Sequence, residues 1–270
     1  IYNGSGSNGK SKLIDLMAKC LGDYKGSVPT SLVTEKRAMV GGLTPEIAQL
    51  QGKRYAVMQE PSKGDQLNDG VMKMLTGEDE IQGRSLYKEP VNYIPQFKLV
   101  VCTNNMFQIK SNDDGTWRRI RKVDFVSKFV KPKQVEEASH KFLRDDDIDK
   151  KFNEWKEIFI SMLVEIAREK KGSVNDCAIV LKASDDYRQE QDYLMEFKNE
   201  CLVEKTDEIR KTALGSKDMG IRGLYEDFKI WYKQSYGNDV PKQKELKGFL
   251  EKHLGKDFLK NYIVKQEDDI

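Results

Sequence analysis

The feature that most constrains the fold is a glycine-rich stretch at residues 4–11, which fits the pattern G-x-x-x-x-G-K-[S/T]. Such glycines let backbone N–H groups face a phosphate chain, and the lysine adds a positive charge. A helical pattern at residues 12–21 follows directly, so the positive end of a helix dipole would face the same phosphates. The stretch predicts an α/β protein that binds a nucleoside triphosphate, with a chance glycine-serine loop as the alternative. The residues expected to contact the nucleotide are Gly4, Gly6, Ser7, Asn8, Gly9, Lys10 and Ser11.

Only Ile1, Tyr2 and Asn3 precede this loop. The strand that normally carries such a loop needs about five residues. We therefore expect the chain to be a piece of a longer protein that is cut within its first strand.

The composition excludes several classes of protein. Lys and Arg together number 46 against 44 Asp and Glu, which gives a net charge of +2, so any nucleic-acid surface must be a local patch. No apolar run approaches the roughly 20 residues that span a membrane, and no signal peptide is visible. The four cysteines form no CxxC pair and only two histidines are present, which argues against a zinc site. These observations predict an intracellular protein with reduced thiols.

Hydrophobic periodicity predicts the remaining elements. In the first half we expect strands at 55–58, 97–102 and 119–125, a helix at 67–75, and a hairpin with arms at 80–86 and 91–94. In the second half we expect helices at 135–170, 183–203, 221–236 and 242–254, a polar linker at 204–220, and a closing strand at 262–264.

Polar residues follow two of the predicted strands. Glu60 comes after strand 55–58 and is a candidate to hold Mg²⁺, together with the Ser11 hydroxyl, or to orient a water molecule. Asn104 comes after strand 97–102 and is a candidate to hydrogen-bond the γ-phosphate or the attacking water. The alternatives are a solvated acid for Glu60 and a turn-forming residue for Asn104.

Residues 110–133 carry eight basic side chains against three acidic ones, and Arg118 and Arg119 lie within this stretch. An arginine placed across a subunit boundary stabilises transition-state charge in some nucleoside triphosphatases. A solvated basic edge strand is the alternative.

Taken in order, the motifs resemble those of the superfamily 3 helicases. More narrowly, they resemble the helicase domain of poxvirus-type primase-helicases, which occur in large DNA viruses and in some phages and plasmids. The resemblance is strong over residues 1–130, and its most specific part is the block at 75–99, which a general nucleotide-binding protein has no reason to contain. Gln59 departs from the family pattern, because an Asp is more frequent there.

The resemblance implies an AAA+-like P-loop core at 1–135 that assembles into a ring, usually a hexamer, with ATP between subunits. Lys10 and Ser11 would contact the phosphates and Mg²⁺, Glu60 would be the Walker B acid, and Asn104 the sensor. Arg118 or Arg119 would be the arginine finger; the sequence does not say which. In the family the hairpin of the middle block grips single-stranded DNA, and its contacts here would be Arg84, Tyr87 and Lys88, although Tyr87 could instead pack the hairpin.

The same resemblance implies a helical region at 136–205, a small winged-helix-like domain at 206–270, and a primase domain upstream. A virus-encoded protein acting in the host cytoplasm or nucleus is then expected. Two other functions stay open. One is a different P-loop ring ATPase, such as a helicase loader or a packaging motor. The other is a non-enzymatic DNA-binding module with a relic loop.

Overall fold

The computed structural model describes residues 1–35, 42–111, 113–211, 219–238 and 240–265. The chain divides into two compact units, Ile1–Arg188 and Gln189–Ile270. Each unit has a hydrophobic core of its own, and each is described separately.

The first unit is a mixed α/β structure. Its strands are β1 (Tyr2–Asn3), β2 (Lys25–Ser27), β3 (Tyr55–Gln59), β4 (Ile81–Gly83), β5 (Val91–Tyr93), β6 (Lys98–Thr103), β7 (Val123–Asp124), β8 (Lys128–Val130) and β9 (Lys141–Leu143). Its helices are α1 (Lys10–Leu21), α2 (Ser31–Thr34), α3 (Pro45–Ala48), α4 (Asp69–Leu75), α5 (Asp114–Trp117), α6 (Ile148–Glu169) and α7 (Ala178–Glu190).

Five strands form a parallel sheet in the order β2-β3-β6-β1-β7. The short β1 lies between β6 and β7, where Tyr2 pairs with Cys102 on one side and with Val123 on the other. Because all five strands run in the same direction, the loops that follow β1, β3 and β6 meet at one edge of the sheet. Residues after the carboxyl ends of such strands form the ligand sites of many open α/β sheets.

The buried strands explain why the chain folds in this way. Residues 55–58 of β3 are all buried, which is typical of a parallel strand covered on both faces. Tyr55 and Val57 pack with Ile14 of α1 on one face. Ala56 and Met58 point to the other face and join the main core, which also contains Leu75 and Trp117.

The predicted hairpin is confirmed as β4 and β5, which pair antiparallel with Gln82 opposite Asn92. Its base lies close against α3. A Cβ atom on Gly83 would lie 2.5 Å from the backbone nitrogen of Ala48, so only glycine fits at this distance. The Tyr93 hydroxyl also donates a hydrogen bond to the carbonyl of Ile47.

Two predictions for the first unit were wrong in their bounds. The helix predicted at 135–170 covers only Ile148–Glu169, because the chain before it forms β9, which pairs in parallel with β8. His140, with φ of 54°, turns the backbone into β9 and interrupts any helix there. The strand predicted at 119–125 is reduced to β7, because residues 119 and 120 still donate hydrogen bonds to carbonyls of α5.

The second unit contains the helices α8 (Tyr193–Cys201), α9 (Asp207–Arg210), α10 (Ile221–Tyr236), α11 (Gln243–Leu254) and α12 (Phe258–Asn261) and the strands β10 (Leu202–Glu204) and β11 (Tyr262–Val264). The predicted helices at 221–236 and 242–254 and the closing strand are confirmed, and β11 pairs antiparallel with β10. The polar segment predicted as a linker at 204–220 includes the end of β10 and the helix α9, and its residues 212–218 lie outside the described part of the chain.

The helix predicted at 183–203 is two helices, α7 and α8. The Asp192 side chain caps α8 by accepting a hydrogen bond from the Met195 amide. Tyr193, Leu194 and Phe197 of α8 then pack into the core of the second unit. The division between the units therefore falls after Arg188, ahead of the boundary predicted between residues 205 and 206. Among the described residues no helix is long and apolar enough to cross a membrane.

Candidate functional site

The glycine-rich loop joins β1 to α1 at the carboxyl edge of the sheet. Gly6, Ser7 and Gly9 have φ values of 94°, 51° and 86°, so the backbone turns through left-handed conformations that favour glycine. A Cβ atom on Gly4 would lie 1.9 Å from Nδ2 of Asn8. The loop conformation therefore depends on the glycines that the sequence pattern singled out.

Lys10, at the first position of α1, points back under this loop and is 5% exposed. Its Nζ donates hydrogen bonds to the Gly4 carbonyl at 2.5 Å, to Asn104 Oδ1 at 2.9 Å and to Asn8 Oδ1 at 3.1 Å. All three acceptors are neutral, and no carboxylate of the described residues forms an ion pair with Lys10. Burial lowers the pKa of Lys10. A buried cation without a counter-charge favours an anionic ligand.

Asn104 follows β6, which lies beside β1 in the sheet. A short turn fixes its place, because the Asn105 amide donates a hydrogen bond of 2.8 Å to the Thr103 hydroxyl. The structure thus brings Asn104 and Lys10 together at 2.9 Å, although 94 residues separate them in the sequence.

Glu60 follows β3, the strand on the other side of β6. Its amide donates a hydrogen bond of 2.9 Å to the Cys102 carbonyl, and its φ of 54° turns the chain away from the sheet. Burial raises the pKa of the Cys102 thiol, the Lys10 charge opposes this shift, and the Glu60 charge adds to it. The charges of Lys10 and Glu60 thus both act on the same thiol near the end of β6.

Ser11 is exposed on the first turn of α1, and the Glu60 side chain is exposed at the same edge of the sheet. No cluster of three or more Asp, Glu, His or Cys side chains suited to a metal occurs among the described residues. Mg²⁺ suits such a place, because it takes oxygen ligands and usually needs only one or two from the protein, with phosphate oxygens and water completing its shell. The donor types of Ser11 and Glu60 therefore fit Mg²⁺.

The two candidate arginines lie away from this cluster. They precede β7, and Arg119 lines a cavity with Ile1 and Lys98, at the amino-terminal edge of the sheet. The Arg119 guanidinium donates a hydrogen bond of 2.6 Å to the Gly115 carbonyl. The Arg118 side chain is exposed and forms no hydrogen bond or ion pair with any residue that the structure describes.

The hairpin tip projects from the first unit. Tyr87 is 96% exposed and has a φ of 58°. The alternative prediction, that its ring packs against the hairpin, is therefore wrong. Lys88 beside it is also exposed. Arg84 lies at the foot of the loop, where its backbone exchanges hydrogen bonds with Thr44.

The sequence patterns missed the ribbon formed by β8 and β9, which lies against the glycine-rich loop. The Phe129 amide donates a hydrogen bond of 2.7 Å to the Ser7 carbonyl. The Asn8 side chain is 6% exposed, and its Nδ2 donates a hydrogen bond of 3.4 Å to the Phe125 carbonyl. The only signal was a short alternation of polar and apolar residues near Lys128–Val130, which is too brief to distinguish a strand from a loop.

Comparisons with known proteins agree with the predicted resemblance. A family of unknown function (DUF5906) matches residues 2–119. The chain is 33% identical over 280 aligned residues to a "putative helicase" of Acanthamoeba polyphaga mimivirus, a match that covers 99% of this chain and 28% of that protein. It is 32% identical to a "putative helicase" of Frog virus 3, covering 76% of this chain and 22% of the relative. It is 26% identical to a "putative primase" of African swine fever virus, again covering 76% of this chain and 22% of the relative.

The fold resembles that of the C-terminal region of NrS-1 in its apo form, with a TM-score of 0.52 and 16% sequence identity. That match covers 99% of this chain and 59% of the solved one. Against the curated relatives the chain spans roughly a quarter of their length. The resemblance predicted from the order of the motifs is confirmed, because the matching relatives are viral proteins named as putative helicases and putative primases.

Proposed function

We propose that the chain is the ATP-hydrolysing motor of a DNA helicase. The observation that carries this proposal is the buried Lys10 ammonium, which is held under a glycine-rich loop by three neutral oxygens and has no carboxylate partner among the described residues. That arrangement suits the β- and γ-phosphates of a nucleoside triphosphate.

The sheet order supports a P-loop core of the AAA+ type. One strand, β6, separates the loop strand β1 from the Glu60 strand β3. Asn104 at the end of β6 is therefore a neighbour of both the loop and Glu60. A phosphate chain bound on Lys10 would lie within reach of an amide and a carboxylate on the same edge.

In the proposed reaction, Lys10 binds the phosphate oxygens and holds the chain in line for attack by water. Glu60 orients that water and accepts its proton, while the bond from the γ-phosphorus to the bridging oxygen breaks and ADP leaves with that electron pair. Asn104 donates a hydrogen bond from its amide nitrogen to the γ-phosphate or to the water, while its oxygen keeps the Lys10 contact. Mg²⁺, held by Ser11 and Glu60, would neutralise charge on the β- and γ-phosphates.

A complete site needs a cation for the charge that develops on the transferred phosphoryl group. Arg119 lies at the opposite edge of the sheet from Lys10 in the same chain, and Arg118 directly precedes it. We infer that one of them acts on the site of a neighbouring copy, which implies a homo-oligomeric ring, and a hexamer is the form that the family resemblance suggests.

DNA is the proposed polymer on which this motor acts. The exposed pair of Tyr87 and Lys88 at the hairpin tip offers an aromatic ring for a base and a cation for a phosphate, with Arg84 beside the loop. The names of the relatives support work on DNA, together with a primase domain elsewhere in the full-length protein.

The second unit, with helices α10 and α11 and the pair β10–β11, is proposed to be a winged-helix-like module.

The test is Lys10→Ala measured for ATP turnover against the unmodified protein. We expect turnover to fall by roughly 100-fold or more, because the main cation for the phosphates is gone. Lys19→Ala is the matched control, since Lys19 is an exposed lysine of the same helix whose Nζ contacts Asn153. Normal turnover in Lys10→Ala would disprove the assignment. Turnover without unwinding of a DNA duplex would favour a loader or a packaging motor.

A further inference from the structure

An apolar groove opens beside the glycine-rich loop, between the β8–β9 ribbon and the helices α1 and α6. Its volume is about 540 Å³, within the usual range of small-molecule sites, about 300–1,000 Å³. Ser7 and Gly9 of the loop form part of its wall. Its apolar lining comes from Leu13, Leu16, Phe129, Leu143, Ile148 and Phe152.

Phe129 is fixed relative to the loop. Its amide is bonded to the Ser7 carbonyl at 2.7 Å. Its ring lies against Gly9, where an added Cβ atom would be 3.1 Å from Cε2 of the ring. The residue as a whole nevertheless remains 38% exposed and lines the groove. An aromatic ring held in this way provides a face on which a planar group can stack.

The charged side chains at the rim are already paired with one another. Lys12 contacts Asp149 at 2.7 Å, Lys151 contacts Asp145 at 2.5 Å, and Arg144 contacts Asp146 at 2.7 Å. The Lys151 ammonium holds the pKa of Asp145 below its ordinary value. Because these charges compensate one another, the groove favours an uncharged, planar ligand over a further phosphate group.

We propose that this groove binds the nucleobase of the nucleotide, stacked on Phe129, while the phosphates lie on Lys10. The proposal rests on the proposed function, because it needs a nucleotide on the loop. The groove is continuous with the loop at Ser7 and Gly9. A nucleotide whose phosphates lie on the loop can therefore place its base in the groove, which identifies the occupant.

The experiment compares two ligands, ATP and inorganic tripolyphosphate, which has the phosphates but no base. Their affinities are measured by calorimetry for the unmodified protein and for Phe129→Ala. We expect Phe129→Ala to weaken ATP binding by about tenfold and to leave tripolyphosphate within about twofold, because only the base stacks on the ring. Phe129→Trp should retain the affinity for ATP, since it keeps an aromatic face.

Phe142→Ala is the matched control. Phe142 lies on the same ribbon, its ring centroid is 6.4 Å from that of Phe129, and it is 36% exposed, but it does not line the groove. Unchanged ATP binding in Phe129→Ala, or equal weakening of both ligands, would overturn the base site and leave the phosphate site standing. If the unmodified protein binds neither ligand, the proposed function and the base site both fail.

Discussion

The chemistry at the residue scale depends on the neutral oxygens around Lys10. An amide at Asn104 holds the ammonium without cancelling its charge, whereas a carboxylate at the same place would form an ion pair with it. The cation therefore stays available to an anionic ligand. This explains why an asparagine, and not an aspartate, suits the end of β6.

Two substitutions at Asn104 separate these effects. Asn104→Ala should lower ATP turnover by roughly 100-fold, because one preorganised polar group at the reacting phosphate is lost, and should change the affinity for ATP little. Asn104→Asp should also weaken ATP binding, because the new carboxylate pairs with Lys10. Turnover and the dissociation constant for ATP are measured on both variants.

Asn105→Ala is the control for this pair, because Asn105 is also exposed after β6 and interacts with Thr103 through its backbone. It should turn over ATP like the unmodified protein. If Asn104→Asp binds ATP as tightly as Asn104→Ala does, the charge on Lys10 is not what holds the phosphates.

At the scale of elements, the hairpin combines a fixed base with an exposed tip. The close approach of Gly83 to Ala48 and the Tyr93–Ile47 hydrogen bond hold the base on α3. Between β4 and β5 the chain extends away from the core, and its most exposed large side chain is Tyr87. A fixed base with an exposed tip suits the proposed contact with single-stranded DNA.

The double substitution Tyr87→Ala with Lys88→Ala tests the tip. We expect affinity for single-stranded DNA to fall by about tenfold or more, because a stacking ring and a phosphate contact are both lost. ATP binding should be unchanged, since neither side chain belongs to the glycine-rich loop or is among the hydrogen-bond partners of Lys10. Binding is measured by fluorescence anisotropy with a labelled oligonucleotide.

A second Tyr-Lys pair in the chain provides the control. Tyr24 is 58% exposed and is followed by Lys25 at the start of β2. Changing both residues to Ala should leave DNA binding intact. Equal losses in the two double variants would show that the hairpin has no special role in holding DNA.

How far the sequence predicts an element depends on whether its contacts are local. The hairpin and helix α10 were predictable, because turn residues and a 3.6-residue apolar period are local signals. The β8–β9 ribbon was not, because each strand has three residues and its pairing joins Lys128 to Lys141 across a loop. The site follows the same rule. Glu60 and Asn104 stand after clear strands, whereas Phe129 acquires its place only through the Ser7 contact.

At the scale of the whole molecule, the chain contains two units with separate cores. The division after Arg188 could not be predicted, because α7 and α8 form one nearly continuous apolar pattern in the sequence. The Asp192 cap marks the start of α8, and packing assigns the two helices to different cores: Tyr187 belongs to the first core and Tyr193 to the second. A helical pattern in the sequence predicts which face of a helix is apolar. It does not predict which of the two cores that face packs against.

The positions of Lys10 and Arg119 at opposite edges of one sheet make a prediction about assembly. If the site lies between copies, a Lys10→Ala subunit still supplies its arginine, and an Arg118→Ala subunit still supplies its loop. Each variant alone should be inactive. An equal mixture should regain ATP turnover at roughly a quarter of its interfaces, where an intact loop faces an intact arginine.

A mixture of Lys10→Ala with Glu60→Ala is the control, because both changes affect the same side of the proposed interface and no combination of the two rebuilds a site. Repeating the mixture with Arg119→Ala in place of Arg118→Ala identifies which arginine acts. Mixed assemblies are verified by mass spectrometry before turnover is measured. If verified mixtures of Lys10→Ala with either arginine variant stay as inactive as the control, neither arginine acts on a neighbouring site. Lys10 and the arginines would then have separate functions and would not form one shared ATP site.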